Sequence, residues 1–147
     1  MDKKRIAWVD DNINTPILEP YVDEFEDNET EIIKIKTVDG LINRLKKELQ
    51  NSLSAILVDI IMPPENYDDG KTRGGIRTGV SVLEDILKEA SLKNIPIIAV
   101  TNVDDPEVSE FCESNHIPWL KKKDYFSDTF VKAVNDKIRI YNETHQV

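Results

Sequence analysis

Three aspartates, a threonine and a run of lysines stand at equivalent points of this sequence, each where an apolar run ends. Asp10 and Asp11 follow Ile6-Ala7-Trp8-Val9. Asp59 is the lone charge in the otherwise apolar stretch Ala55 to Met62. Thr101 closes Ile97-Ile98-Ala99-Val100, and Lys121-Lys122-Lys123 follow Trp119-Leu120. A carboxylate inside a strand buried on both faces is costly unless it sits at the strand's end or has a partner. Pro63 cannot donate to a ladder, so the third strand should stop near it and leave Asp59 toward its C-terminal end. In an open parallel sheet that rim is where ligands bind. Three carboxylates gathered there raise one another's pKa values unless a cation is present. Oxygen-only ligands of high charge call for a hard cation, and Mg2+ is the natural choice. A hydroxyl and an ammonium complete a set suited to a phosphoryl group, with Asp59 as the nucleophile that would form an aspartyl phosphate.

The elements that must position these groups alternate regularly. Residues 5–9 read as a first buried strand. A helix follows, with Thr15 as cap, Pro16 in its first position and Ile17, Leu18, Tyr21, Val22 and Phe25 as its apolar face. Pro20 is awkward inside it. Residues 31–36 read as a second strand, more polar and so suited to an edge. Val38, Leu41, Ile42, Leu45 and Leu49 mark a second helix, and the Asp59 strand is third. Residues 64–78 form a loop with Gly70, Gly74, Gly75 and mixed charge; a loop of that length is either functional or disordered. Leu83, Ile86, Leu87 and Ala90 mark a third helix, and residues 95–101 a fourth strand. Asp105-Pro106 opens a fourth helix with a thin stripe of Val108, Phe111 and Cys112. Residues 117–120 read as a short fifth strand, and Phe126, Phe130, Val134, Ile138 and Tyr141 as the face of a last helix. Five strand–helix alternations predict an α/β fold: one doubly wound parallel sheet with right-handed crossovers, in a single domain over 1–147.

Composition narrows the function. Nineteen basic and 28 acidic side chains give a net charge of −9, which argues against nucleic-acid and anionic-membrane binding and suits a cation or a basic partner surface. The lone Cys112 excludes an internal disulfide and a cysteine zinc cluster. No apolar run approaches the ~18 residues of a membrane span, and Ile6 to Val9 is too short for a signal peptide's apolar region. A cytoplasmic location is the default expectation.

The motifs Trp8-Val9-Asp10-Asp11, Leu57-Val58-Asp59-Ile60-Ile61-Met62-Pro63, Pro96-Ile97-Ile98-Ala99-Val100-Thr101 and Trp119-Leu120-Lys121-Lys122 together resemble the receiver domain of two-component response regulators. The resemblance runs from Arg5 to about Tyr141. It implies a flavodoxin-like (βα)5 sheet of order 2-1-3-4-5 and phosphorylation of Asp59 by a histidine kinase or phosphotransfer protein, in a two-component system or phosphorelay. It further implies that Mg2+ is ligated by Asp11, Asp59 and the backbone carbonyl of Ile61, with Asp10 binding through water. Thr101 and one lysine would grip the phosphoryl oxygens. The family places that lysine three residues after the aromatic Trp119, which selects Lys122; continued strand alternation would put Lys122 on the face of Leu120, with Lys121 and Lys123 opposite. Trp119 matches the family's rotamer-switching aromatic. The resemblance puts the downstream protein target on the face of the fourth helix, fifth strand and fifth helix, where Trp119 and Tyr125 are candidate reporters. Oligomerisation is left open.

The departures from the family pattern are specific. Lys123 stands where the family has a cis proline, and a cis bond there would cost ~3 kcal/mol, so a trans bond and a differently shaped loop are expected. Asn102 follows the hydroxyl in place of a small residue. The loop after Pro63 is longer than usual by roughly ten residues and rejoins the pattern at Thr78-Gly79; its Lys71, Arg73 and Arg77 could approach an acidic partner or the phosphoryl group. Ile61 and Val103, both apolar, flank the expected path of a hydrolytic water and imply slow self-dephosphorylation. The chain closes on its last helix, so a stand-alone receiver without an output domain is expected. One alternative is a pseudo-receiver that binds proteins without phosphorylation. An aspartate-nucleophile phosphohydrolase needs an acid two residues after the nucleophile, where this chain has Ile61, so the chain is not read as an enzyme beyond its own phosphorylation and dephosphorylation.

Overall fold

The computed structural model describes residues 3–145 apart from Pro64, Asn66, Asp68, Ile76 and Val103. Strands β1 (Lys4–Val9), β2 (Thr30–Ile35), β3 (Ala55–Asp59), β4 (Ile97–Thr101) and β5 (Trp119–Lys121) form one parallel sheet of order β2-β1-β3-β4-β5. Helices α1 (Glu19–Asp27), α2 (Leu41–Glu48), α3 (Thr78–Lys88), α4 (Pro106–Ser114) and α5 (Ser127–Thr144) cross over between the strands or follow the last one, and a single helical turn, Asp69–Thr72, lies within the long loop. This is the flavodoxin-like arrangement. None of the described helices is long and apolar enough to cross a membrane.

The strands lack polar alternation because both faces of the sheet are covered. Ala7, Val9, Ile56, Val58 and Ala99 face a core shared with α2, α3 and α4. Ile6, Trp8, Leu57, Ile98, Val100 and Leu120 face a second core shared with α1 and α5. Trp8 anchors this second core, stacked on Phe130 at 5.7 Å and edge-on to Phe25 at 6.0 Å.

Several expected boundaries shift. Helix α1 starts at Glu19 rather than at Thr15-Pro16, so Pro20 falls in the first turn, where its missing N–H leaves no bond unmade. The Thr15 hydroxyl donates to the Asn12 carbonyl in the preceding turn, and Ile17 is 66% exposed instead of buried. Strand β3 ends at Asp59, not near Pro63. The Ile60 N–H still donates to Val100, but the Met62 N–H donates to Gly75 and the Ile60 carbonyl accepts from Gly79, so the returning loop takes over from the ladder. Strand β4 begins at Ile97, and β5 runs from Trp119 to Lys121, later than expected at both ends. Phe126 caps α5 with an extended backbone and is 81% exposed, outside the helix face on which it was expected; Leu87 and Ala90 also lie on the exposed side.

The described part of the long loop is tied down. The Tyr67 hydroxyl donates to Asp85 of α3 at 2.5 Å, Glu65 accepts from the Asp39 N–H at 2.9 Å, and the buried Thr78 hydroxyl donates to the Met62 carbonyl. Gly79 lets α3 approach the end of β3: a Cβ there would lie 2.3 Å from the Asp59 carbonyl oxygen and 2.5 Å from the Ile60 Cα. Both neighbours are backbone and cannot turn aside. Gly79→Ala is therefore expected to destabilise the fold by about 3 kcal/mol or more, measured by denaturant unfolding; a loss below about 1 kcal/mol would show that α3 is free to withdraw.

Candidate functional site

The sheet register carries the chemical groups to one rim. Val9 pairs with Val58, Asp59 with Val100, and Thr101 with Lys121, so the C-terminal ends of β1, β3, β4 and β5 lie side by side. Asp10, Asp11 and Asp59 converge there, each with a carboxylate oxygen within 4.8 Å of the others. The Asp10 N–H donates to Ile35 at the end of β2, which fixes the turn. Its side chain is almost fully buried. Oδ1 accepts from the Asn12 N–H at 2.9 Å, whereas Oδ2 has no hydrogen-bond partner. A buried carboxylate oxygen with no donor is costly, and a hard cation held between Asp10 and the half-buried Asp11 and Asp59 would satisfy it. The donor set therefore fits Mg2+ or a similar ion.

Lys122 is the lysine that reaches this cluster. Its Nζ lies 4.0 Å from Asp10 Oδ2, and its side chain is 11% exposed. The cause is not strand alternation: β5 stops at Lys121, and Lys122 opens a 3-10 turn, Lys122–Asp124, that swings it inward. Lys121 is ion-paired with Asp104, and Lys123 is exposed. The peptide bond between Lys122 and Lys123 is trans. The Lys123 N–H, which a proline would lack, donates to Asn102 Oδ1 at 3.0 Å. The two departures from the receiver pattern are thus bonded to each other, and they link the loop after β4 to the loop after β5.

Thr101 is buried at the end of β4. With Asp105, Val108 and the partly buried Trp119 it borders a cavity of about 240 Å³ between α4 and β5. The Ile61 side chain faces outward beside the site. Val103 and the Lys71 side chain lie outside the described residues. Arg73 and Arg77 turn toward the start of α4 rather than toward the carboxylates: Arg77 pairs with Asp105 and Glu107, and Arg73 lies 3.8 Å from Glu107. Neither these pairings nor the Asn102–Lys123 bond could be read from the sequence, because each joins segments far apart in the chain.

Burial is the main reason the Asp59 carboxyl is pushed up, to about 8; the negative charge of Asp10 adds to it and Lys122 partly offsets it. Asp10 is raised as well, by burial first and by Asp11, against the Asn12 N–H and Lys122. Without a cation the cluster resists ionisation.

This topology is that of the response-regulator receiver fold. No protein-family model and no curated protein matches the sequence, but solved structures match it over nearly its whole length. A CheY-like response regulator receiver domain protein from Methanospirillum hungatei is 20% identical with a TM-score of 0.72, covering 97% of this chain and 98% of its own. The chemotaxis protein CheY4 of Vibrio cholerae is 18% identical with a TM-score of 0.68, over 91% of this chain and 98% of its own. The response regulator Rcp1, solved in its Mn2+-bound form, is 19% identical with a TM-score of 0.63, over 95% and 90%.

Because the folded pKa of Asp59 is raised, the metal-free fold is penalised progressively as pH climbs from about 4 toward 8. Asp59→Asn is expected to raise stability on the order of 5 kcal/mol at pH 8 without metal, with the gain vanishing below pH ~4. Thermal unfolding across this range is the measurement. Saturating Mg2+ should raise the wild-type Tm and leave that of Asp59→Asn nearly unchanged.

Proposed function

We propose that this chain is a phosphoacceptor signalling protein of a two-component system or phosphorelay, acting in the cytoplasm, in which phosphorylation of Asp59 changes a surface read by another protein. The observation that carries this reading is the convergence of Asp10, Asp11 and Asp59 with the Lys122 ammonium on one rim of a receiver fold, with Thr101 at the end of the adjoining strand. The phosphoryl donor is a histidine kinase or phosphotransfer protein. Asp10, Asp11, Asp59 and the Ile61 carbonyl would hold Mg2+, which supplies positive charge to the phosphoryl oxygens. Two structural neighbours support this assignment by their own states: Rcp1 binds Mn2+, and the DrrB receiver domain was solved activated by BeF3.

The chain's own residues then divide the work. An Asp59 carboxylate oxygen bonds to phosphorus as the donor's bond to phosphorus breaks. Lys122 and the Thr101 hydroxyl donate to the phosphoryl oxygens. The protein turns over no outside substrate and promotes only its own modification. The downstream partner would dock on the face of α4, β5 and α5, as the family resemblance implies.

Intact mass after incubation with Mg2+ and acetyl phosphate tests the reading. One added phosphoryl group is expected in the wild type and none in Asp59→Asn. Lys122→Ala should slow the gain at least about ten-fold, and Lys121→Ala should not. Absence of any gain, with the fold and Mg2+ binding intact, would leave a phosphorylation-independent binding module. With Ile61 apolar, the phosphorylated chain should outlast a chase of many seconds without added phosphatase; loss within seconds would remove the argument from that side chain.

A further inference from the structure

Arg77 stands at the N-terminal edge of α3 and reaches across to α4. Its guanidinium forks onto Asp105: Nε donates to Oδ2 and Nη2 to Oδ1, both at 2.9 Å, while Nη1 donates to Glu107. The Arg77 and Asp105 side chains are only 14% and 15% exposed. Asp105 is also the N-cap of α4, accepting from the Glu107 N–H at 3.1 Å, and its carbonyl accepts from the Val108 and Ser109 N–H groups.

The pair joins the two sides of the candidate site from outside. Two residues on from Arg77, the Gly79 N–H donates to the carbonyl of Ile60, the neighbour of Asp59. On the other side, Asp105 lies four residues beyond Thr101 in the chain. Helix α4 itself has a narrow hold on the core, with Val108 and Cys112 its fully buried side chains. A cavity of about 240 Å³ lies beside Thr101 and Trp119, between the start of α4 and β5. A forked guanidinium–carboxylate pair largely out of water resists displacement more than a single ammonium contact.

We propose that Arg77 is a positioning residue that restrains α4 and its N-cap Asp105, just beyond the β4 end that carries Thr101, in the unmodified chain, so that this clamp sets how readily phosphorylation shifts α4. The functional half of this inference rests on the phosphoacceptor reading. A pull of Thr101 toward a phosphoryl group on Asp59 would be opposed at Asp105, four residues on in the chain.

Amide hydrogen exchange on the full chain without metal tests the clamp. In Arg77→Met the Val108 and Ser109 amides are expected to exchange about ten-fold faster, with β1 and β3 amides unchanged. The switch is tested by titrating beryllofluoride with Mg2+ and reading tryptophan fluorescence. The concentration for half response should fall about three- to ten-fold in Arg77→Met, with Arg77→Lys between it and the wild type. Unchanged exchange at Val108 and Ser109, a rise spread evenly over β1 and β3, or weaker beryllofluoride binding in Arg77→Met would each overturn the proposal. A wild type that ignores beryllofluoride would defeat the phosphoacceptor reading, while the exchange comparison would still decide the clamp.

Discussion

Negative charge crowded into a buried corner is the constraint on which the rest of the structure depends. Two adjacent central strands, β1 and β3, bring Asp10, Asp11 and Asp59 to within 4.8 Å of one another, where water cannot screen them fully. Sheets covered on both faces have few places for such groups, and the C-terminal rim is the one that the parallel topology offers. Lys122, 4.0 Å from Asp10, offsets part of the repulsion and leaves one buried carboxylate oxygen without a donor. The site is therefore incomplete as a set of protein groups alone. A cation is the simplest group that would satisfy the orphaned oxygen.

Around that corner polar bonds hold the turn after β5 and the start of α4. Asn102 bonds the Lys123 N–H, Lys121 pairs with Asp104, and Arg77 forks onto Asp105. All three hold the segment between Thr101 and α4. The apolar cores end below it, with Val100 and Leu120 the outermost buried apolar residues of their strands. A segment fixed by exchangeable polar contacts can be re-posed at modest cost, whereas the close-packed sheet beneath it cannot.

The strand–helix alternation and the placing of Asp10, Asp11, Asp59 and Thr101 at strand ends were legible because both are written locally, in apolar runs and the polar residues that stop them. The end of β3 was not. Ile60 and Met62 stay buried after the ladder has passed to Gly75 and Gly79, so apolar character continues where the strand does not. Nor could local preference choose between Pro16 and Pro20 for the first turn of α1. The choice falls to Pro20, which the helix can accommodate only near its start. Lys122 was separated from its neighbours by resemblance and by an alternation that β5 does not sustain; in the structure a 3-10 turn does it. The order in the long loop was invisible because Tyr67–Asp85 and Arg77–Asp105 join residues 18 and 28 positions apart.

The strand order has a kinetic consequence. Asp10, Asp59 and Lys122 are distant in sequence and meet only when β1, β3 and the turn after β5 are all in place. A folding nucleus built from the apolar middles of the strands can form while the three carboxylates are still in water. Their mutual repulsion then falls mainly after the barrier, where it hastens unfolding more than it delays folding. A cation that binds the finished rim would act on the same side of the barrier and lengthen the life of the native state.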